Sequence, residues 1–207
     1  MRTRIKICGI TRVQDGIDAA RCGADAIGLV FADKSPRRVS LAQAAEIARA
    51  LPPFVSTVAL FVNPTTAEVE QVIKAVGPDL LQFHGEETPA FCQSFGQAYL
   101  KAVRVRPGLD LLQYAADFVG AAGLLLDAYA PDVHGGTGHR FDWSLIPSGL
   151  ALPVILAGGL EADNVADAVS RVRPWAVDVS SGVEAAKGIK DAAKISAFIK
   201  EVLNADV

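Results

Sequence analysis

Two side chains that could transfer protons each close a short apolar segment of the sequence. Asp127 ends GLLLD, and a carboxylate that closes a buried strand is unfavourable unless it is paired or takes part in chemistry. It is therefore a candidate general acid or base, with a cap for the following loop as the alternative. Cys8 ends IKIC and directly precedes Gly9. Because free cysteine is most often a small buried hydrophobe, its residue type alone leaves both interpretations open.

Two loops that follow apolar segments indicate a phosphate site. VILAGGL and VDVSSGVE each place glycine or serine directly after a predicted strand, and a helix is predicted to begin near Asn164. The residues concerned are Gly158, Gly159, Ser180, Ser181 and Gly182. Glycine lets backbone N–H groups approach an anion closely, and a helix N-terminus favours negative charge. Either loop alone could be an ordinary turn, but together they favour a phosphorylated ligand.

Further candidates for binding lie in loops after other predicted strands. Arg37, in KSPRR, offers a planar fork that suits a carboxylate or a phosphate, with a solvated basic loop as the alternative. His84, in LLQFHGEE, could bind a ligand or only orient its loop. Arg104 is a similar candidate. The loop at 128–140 holds three glycines and could close over a bound ligand.

The elements that would position these residues are short strands alternating with longer helices. Strands are predicted at 5–8, 26–31, 56–62, 80–83, 99–105, 124–127, 154–157 and 176–179. The clearest helices are predicted at 41–51, 65–76 and 191–203. Ser40 and Asn164 fit helix N-caps, and Gly23 and Gly77 fit helix ends. Runs such as LLLD and AVDV are apolar at consecutive positions, which is typical of parallel strands buried on both faces.

Eight such strands are compatible with a closed barrel or with an open, doubly wound sheet. Polar or glycine residues lie at or just after the carboxyl end of all eight: Cys8, Arg37, Asn63, His84, Arg104, Asp127, Gly158 with Gly159, and Ser180 with Ser181. A barrel brings all eight loops to one mouth, whereas an open sheet would leave some of them far apart. We therefore predict an α/β fold of the (β/α)8 TIM-barrel type, as one compact catalytic domain over residues 1–207.

The side-chain parity of the strands predicts a buried ion pair. Residues two apart on a strand face the same side, so a barrel-facing Cys8 implies a barrel-facing Lys6. On the eighth strand, which neighbours the first in a closed barrel, Asp178 and Ser180 share a face. We predict that Lys6 and Asp178 pair beneath the site, since a single buried charge would be unfavourable. The ammonium would favour the thiolate form of Cys8. Asp178 is also a candidate substrate-binding residue.

Composition excludes several classes of function. The 207 residues are 51% hydrophobic and 21% charged, with a net charge of −3, so no basic surface for nucleic acid or anionic membrane is expected. Three sparse cysteines and no CxxC pair predict neither a disulfide framework nor a metal site. The N-terminal MRTRIKICGITR lacks a secretory signal core, and no apolar segment has the length of a membrane span. We expect a cytoplasmic monomer.

The ordered set of motifs closely resembles the phosphoribosylanthranilate isomerase family, nearly end to end. The matching segments are KICGIT, GADAIGLVF with KSPR, ALFVNP, LLQFHGEE, LLLDAY, GGTG, FDW, VILAGGL, and VDVSSGVE with GIKD. The family often has Leu where Phe83 stands, an aromatic–Pro pair where Ala32 and Asp33 stand, and an aromatic or hydrophobic residue where Arg38 stands. These departures leave the shape of the loop after the second strand open.

The resemblance implies an Amadori rearrangement in tryptophan biosynthesis. The substrate would be N-(5-phosphoribosyl)anthranilate and the product 1-(2-carboxyphenylamino)-1-deoxyribulose 5-phosphate. It implies that Cys8 is the general base, that Asp127 is the general acid, and that Arg37 binds the anthranilate carboxylate. The glycine and serine loops would hold the phosphate. No metal or organic cofactor is implied, because the substrate nitrogen itself serves as the electron sink.

Two alternatives differ from this interpretation in chemistry. Another phosphosugar isomerase or epimerase on the same barrel would typically use paired carboxylates, or a metal with histidines. A related activity on ribosyl-histidine precursors would want an aspartate in place of Cys8. A non-catalytic phosphate-binding barrel would keep the glycine loops but could lose Cys8 or Asp127. Both residues are present.

Overall fold

The computed structural model describes residues 2–128 and 142–205 and contains a closed barrel of eight strands in sequential order. Every neighbouring pair is parallel, including the pair that closes the barrel between the last strand and the first. The strands are β1 (Arg4–Cys8), β2 (Ala26–Val30), β3 (Ser56–Phe61), β4 (Leu80–Phe83), β5 (Tyr99–Val105), β6 (Gly123–Ala128), β7 (Val154–Leu156) and β8 (Ala176–Val179). The predicted (β/α)8 TIM barrel is confirmed.

Helices alternate with these strands around the outside of the barrel. They are α1 (Val13–Cys22), α2 (Leu41–Ala50), α3 (Thr66–Val76), α4 (Pro89–Gln93), α5 (Leu111–Asp117), α6 (Val165–Val172) and α7 (Ala192–Ala205). Short 3-10 turns precede β7 at Trp143–Leu145 and follow β8 at Ser181–Val183. A small antiparallel pair, β9 (Glu184–Ala186) and β10 (Ile189–Lys190), then leads into α7.

Local sequence explains where several helices begin and end. The Ser40 hydroxyl accepts from the backbone N–H of Gln43, whose side chain returns a bond to Ser40, so the predicted N-cap is a complete capping box. Gly23 and Gly77 end α1 and α3 in the left-handed conformation, also as predicted. Asn164 precedes α6, but its side chain makes no cap bond. It instead holds the preceding loop, accepting from Glu161 N–H at 3.0 Å and donating to the Gly159 carbonyl at 3.0 Å.

Alternate residues of each strand divide the core into an outer and an inner layer. Outward-facing side chains such as Ile7, Leu29 and Leu126 are fully buried beneath the helices. Inward-facing residues such as Leu125 and Ile155 pack together inside the barrel. Each such buried aliphatic side chain contributes roughly 1.5–3 kcal/mol through removal of apolar surface from water. The inner layer is apolar in its lower part and turns polar toward the carboxyl ends of the strands, where ligands are held in this fold.

Two observations bear on segments outside the barrel wall. Within residues 2–128 and 142–205, no helix is both long and apolar enough to cross a membrane. The loop predicted to close over a ligand, at 128–140, lies beyond the described residues except for Ala128.

Candidate active site

The carboxyl ends of the strands surround a cavity of about 740 Å³. Nine of the ten predicted site residues line it: Cys8, Arg37, His84, Asp127, Gly158, Gly159, Asp178, Ser180 and Ser181. The tenth, Gly182, lies beside this cavity and joins the two loops that were predicted to hold phosphate. A Cβ added at Gly182 would come within 2.1 Å of the Leu160 carbonyl oxygen, so only glycine lets the loops after β7 and β8 pack this closely.

A buried ion pair supports Cys8 from below. Lys6 lies opposite Asp178 in the β1–β8 register, and its Nζ donates to Asp178 Oδ1 at 2.8 Å. The side chains are only 5% and 9% exposed. The predicted Lys6–Asp178 pair is therefore confirmed. Each charge compensates the other in a place where one alone would be strongly destabilising.

The pKa of Cys8 reflects a competition between burial and charge. Burial is the largest effect and raises the pKa of the thiol, while the charge and hydrogen bond of Lys6 act to lower it. Burial prevails, so the pKa of Cys8 stands above its ordinary value. The expected thiolate-favouring effect of Lys6 is thus present, but it is insufficient by itself in the ligand-free protein. Burial also opposes the charge of Lys6, yet Asp178 and Cys8 together raise the pKa of the ammonium.

Asp127 contacts a backbone amide and a histidine. Its Oδ1 accepts from the Ala128 backbone N–H at 2.8 Å, and its Oδ2 lies 3.2 Å from His84 Nε2. On the far side of the imidazole, Gln82 Nε2 lies 3.2 Å from His84 Nδ1. An amide nitrogen can only donate, so this arrangement assigns the proton of a neutral His84 to Nε2, which donates to Asp127.

Gln82 was not among the predicted site residues, although a signal for it was present. Gln82 and His84 are two apart in LLQFH and therefore share the face of β4 that points into the barrel. A glutamine side chain in a buried strand calls for a hydrogen-bond partner. His84 was predicted to bind a ligand, and the structure places it at the cavity wall, against the carboxylate of Asp127.

Arg37 is buried and bound in two places by a carboxylate. Its Nε donates to Glu184 Oε1 at 2.7 Å and its Nη2 donates to Glu184 Oε2 at 2.8 Å. Arg37 was predicted to bind a ligand carboxylate. The structure shows that Glu184 already occupies one edge of its guanidinium. A ligand would meet the other edge. Glu184 itself was missed, although it closes the motif VDVSSGVE.

Lys190 extends this pair to the loop after β8. Its Nζ donates to Glu184 Oε1 at 3.0 Å, to the Ser180 carbonyl at 3.0 Å, and lies 3.3 Å from the Ser180 hydroxyl. Burial alone would raise the pKa of Glu184, but Arg37 and Lys190 together lower it. Burial lowers the pKa of Lys190 despite the opposing charge of Glu184. The chain of contacts from Arg37 to Ser180 ties the loop after β2 to the loop after β8.

The loop after β7 lies directly against Asp127. Gly158 and Gly159 have φ of 84° and 62°, a left-handed conformation that disfavours a side chain. A Cβ at Gly158 would lie 2.9 Å from Asp127 Oδ1. The glycine therefore serves two requirements, since it forms the predicted phosphate loop and leaves room for the carboxylate beside it.

The remaining candidates are placed as follows. Arg104 lies opposite Asp127 in the β5–β6 register, and its Nη2 is buried with no hydrogen-bond partner in the part of the chain that the structure describes. Cys22 and Cys92 lie in α1 and α4, and neither lines the cavity. Across the described ranges, no three histidine, cysteine or carboxylate side chains group together in a way that could hold a metal ion.

The family model and the curated relatives most similar in sequence point to one enzyme family. Residues 5–201 match the family model described as N-(5'phosphoribosyl)anthranilate (PRA) isomerase. N-(5'-phosphoribosyl)anthranilate isomerase of Thiobacillus denitrificans is 63% identical, over 97% of this chain and 98% of its own length. The enzyme of that name from Pseudomonas paraeruginosa is 61% identical, over 96% and 94% of the two chains.

Solved structures agree with the sequence match. The crystal structure of phosphoribosyl anthranilate isomerase from Thermus thermophilus superposes with a TM-score of 0.89 at 34% identity, covering 98% of this chain and 99% of the other. A second isomerase of this name was solved in complex with reduced 1-(o-carboxyphenylamino)-1-deoxyribulose 5-phosphate, and matches with a TM-score of 0.84 at 39% identity over 97% and 98% of the chains. This chain belongs to the N-(5'-phosphoribosyl)anthranilate isomerase family.

Proposed function

We propose that this chain isomerises N-(5'-phosphoribosyl)anthranilate to 1-(2-carboxyphenylamino)-1-deoxyribulose 5-phosphate in tryptophan biosynthesis, with Asp127 as the general acid and Cys8 as the general base. The observation that carries the proposal is that both side chains line one cavity, on the two strands that flank the glycine-containing loops after β7 and β8. Each also has its own supporting partner, His84 for the acid and Lys6 for the base.

The reaction needs two proton transfers at neighbouring atoms of one sugar. Asp127 protonates the furanose ring oxygen as the C1–O bond breaks, and the nitrogen lone pair forms a C=N bond, giving a protonated imine that carries a positive charge. Cys8 then removes the proton from C2, and the electrons of that C–H bond form an enolamine. Protonation at C1 and loss of the C2 hydroxyl proton give the ketone. Atoms and electrons balance within the substrate, and each positioned acid or base contributes about 10²–10⁴-fold in rate.

The supporting residues match these two roles. Once Asp127 has given up its proton, the donors from His84 and Ala128 stabilise the carboxylate that remains. The ammonium of Lys6 stabilises the thiolate of Cys8, which is the form that accepts a proton. The imine adds a positive charge beside Cys8 during turnover, which favours the thiolate further.

The substrate would span the cavity between its two anionic groups. Gly158, Gly159, Ser180, Ser181 and Gly182 would hold the phosphate. The unoccupied edge of the Arg37 guanidinium would receive the anthranilate carboxylate, while Glu184 fixes its orientation. Asp178 reaches the cavity wall and would orient a sugar hydroxyl while remaining paired with Lys6.

The decisive experiment follows loss of anthranilate fluorescence when enzyme meets freshly prepared substrate, with a chelator present. Cys8→Ser and Asp127→Asn should each lower kcat by roughly 10²-fold or more, because each removes one proton-transfer partner. Cys22→Ser, a change at a cysteine of α1 that does not line the cavity, is the matched control and should retain wild-type turnover. Near-wild-type kcat in either site variant would overturn that assignment, and a fully inactive wild type would leave only a phosphate-binding barrel.

We further infer one catalytic domain over residues 1–207, located in the cytoplasm and active as a monomer. The family match over 5–201 supports the single domain. A dimer is the second candidate, because Phe54 is fully exposed in the connection between α2 and β3. A Thermotoga maritima relative is also described as dimeric. Light scattering across a concentration series decides, since a dimer mass that Phe54→Asp abolishes would refute the monomer.

A further inference from the structure

The neighbouring strand leaves an unusual space beside Cys8. In the β1–β2 register, Cys8 lies opposite Gly28. A Cβ added at Gly28 would come within 2.6 Å of Cys8 Sγ, and within 3.1 Å of both Cys8 Cα and Lys6 Nζ. Ordinary contacts between such atoms are about 3.5–4.0 Å. The volume that a side chain on β2 would fill is therefore the volume in which the thiol and the ammonium approach one another.

Backbone conformation does not explain this glycine. Gly28 lies inside β2, and it is not among the residues with positive φ. Glycine weakens a strand because it adds no packing and is the most flexible residue in the unfolded chain. Its strand neighbours Ile27 and Leu29 are fully buried apolar residues. A residue with a side chain would therefore stabilise this strand better than glycine does.

We propose that Gly28 is a positioning residue for the general base, because its missing side chain forms the recess that holds the Cys8 thiol against the Lys6 ammonium. The inference rests on the proposed role of Cys8. Gly28 does not itself touch the reacting atoms. Its effect is transmitted through the position of Sγ.

The recess has a fixed wall on the side of Lys6. The Lys6 ammonium is anchored to Asp178 at 2.8 Å and is buried, so it cannot move aside without breaking that pair. Cys8 lines the cavity, and its thiol is not part of that ion pair. A methyl group at position 28 would therefore displace the thiol rather than the ammonium.

The charges that face Cys8 predict what such a displacement does. Lys6 on β1 and Lys190 on β10 lower the pKa of the thiol, while burial and Asp178 on β8 raise it. Arg37, in the connection between β2 and α2, is also close enough for its charge to interact with that of Cys8. Moving Sγ away from Lys6 weakens the largest effect that opposes burial. The pKa of Cys8 should rise further, and less of the thiolate would be present at neutral pH.

Gly28→Ala tests this directly. We expect kcat at neutral pH to fall by about 10-fold or more while KM changes by less than about 3-fold, since the base is displaced but the phosphate and carboxylate contacts remain. The rising limb of kcat/KM should move to higher pH. In the ligand-free protein, iodoacetamide should modify Cys8 more slowly at fixed pH, measured by mass spectrometry of the peptide that contains it.

Gly123→Ala is the matched control. This glycine also lies in a barrel strand without room for a side chain, because an added Cβ would lie 2.7 Å from Ile155 Cδ1 and 2.9 Å from the Pro153 carbonyl oxygen. It is remote from Cys8, so its substitution should lower Tm while the pH limb and the alkylation rate stay at their wild-type positions. If Gly28→Ala matches this control in both readouts, Gly28 is only a packing residue and the proposal is overturned.

A double variant covers the case in which Gly28→Ala folds poorly. Replacing Cys8 by Ala removes Sγ, the atom nearest to the added Cβ, so Gly28→Ala should cost less in Tm in the Cys8→Ala background than in the wild type. An equal cost in both backgrounds would contradict the proposed recess. The alkylation and Tm readouts need no catalysis. They therefore remain informative if Cys8→Ser proves active and the assignment of the base fails.

Discussion

The Lys6–Asp178 pair allows stability and catalysis to be separated. At 2.8 Å, the two charges attract by about 6 kcal/mol at an effective dielectric constant near 20. Transfer of each ion out of water costs several kcal/mol, so the net contribution of the pair is small. Removing one partner leaves the desolvation cost of the other charge but removes the attraction that offsets it. We therefore expect Lys6→Met or Asp178→Asn to lower the free energy of unfolding by about 3–5 kcal/mol.

The double variant Lys6→Met/Asp178→Asn leaves no charge in this place. Its free energy of unfolding should return to within about 2 kcal/mol of the wild type, because neither desolvation cost remains. Its activity should not return. The lost ammonium lets burial set the pKa of Cys8, so the rising limb of kcat/KM should lie at higher pH than in the wild type. Urea unfolding followed by circular dichroism gives the stability, and the fluorescence assay gives the rate.

An exposed ion pair provides the control for both measurements. Arg171 and Asp167 lie one turn apart on α6 at 2.6 Å, with side chains 68% and 53% exposed. Removing either should change stability by less than about 0.5 kcal/mol, because water already solvates both groups. The reasoning fails if the Lys6 and Asp178 single variants are as mild as this control. It also fails if the stable double variant keeps the wild-type kcat and pH limb, since Lys6 would then have no role in catalysis.

Two further predictions concern the partners of Asp127 and Arg37. Gln82→Leu removes the donor to His84 Nδ1, so the imidazole can adopt the other tautomer. We expect kcat to fall by about 10-fold with little change in KM. An unchanged kcat would show that His84 does not need to be oriented by Gln82. Glu184→Gln weakens the anchor of Arg37 and leaves the buried charges of Arg37 and Lys190 less compensated. KM should therefore rise, and the free energy of unfolding should fall by about 3 kcal/mol. A variant with the wild-type KM and the wild-type stability in urea would contradict both effects.

Strand positions could be predicted from sequence because they depend on local patterns. Three of the eight strands have the predicted bounds, and the others differ by one or two residues at their ends. Consecutive apolar residues mark buried parallel strands, and glycine or a capping hydroxyl marks the helix ends. The Lys6–Asp178 pair could also be predicted from the sequence, because strand parity and barrel closure together determine which side chains face each other.

Contacts that depend on distant segments could not be predicted in this way. Glu184 and Arg37 are 147 residues apart in the sequence. Glu184 lies in the small antiparallel pair of β9 and β10, and the sequence of that pair shows no clear strand pattern. The direction of the pKa shift at Cys8 could not be predicted from the sequence either. Sequence parity places an ammonium beside the thiol, but the opposing effect of burial depends on how completely the barrel encloses it.

The side chains that we propose as acid and base have different hydrogen-bonding partners, and the order of the proposed reaction accounts for the difference. In the proposed mechanism the acid begins protonated, and the side chain that hydrogen-bonds to Asp127 is the imidazole of His84 rather than a lysine or arginine. The base must instead reach its charged form inside a buried site, which a neutral donor would support only weakly. Cys8 accordingly lies against the permanent charge of Lys6, and Asp178 keeps that charge stable within the barrel.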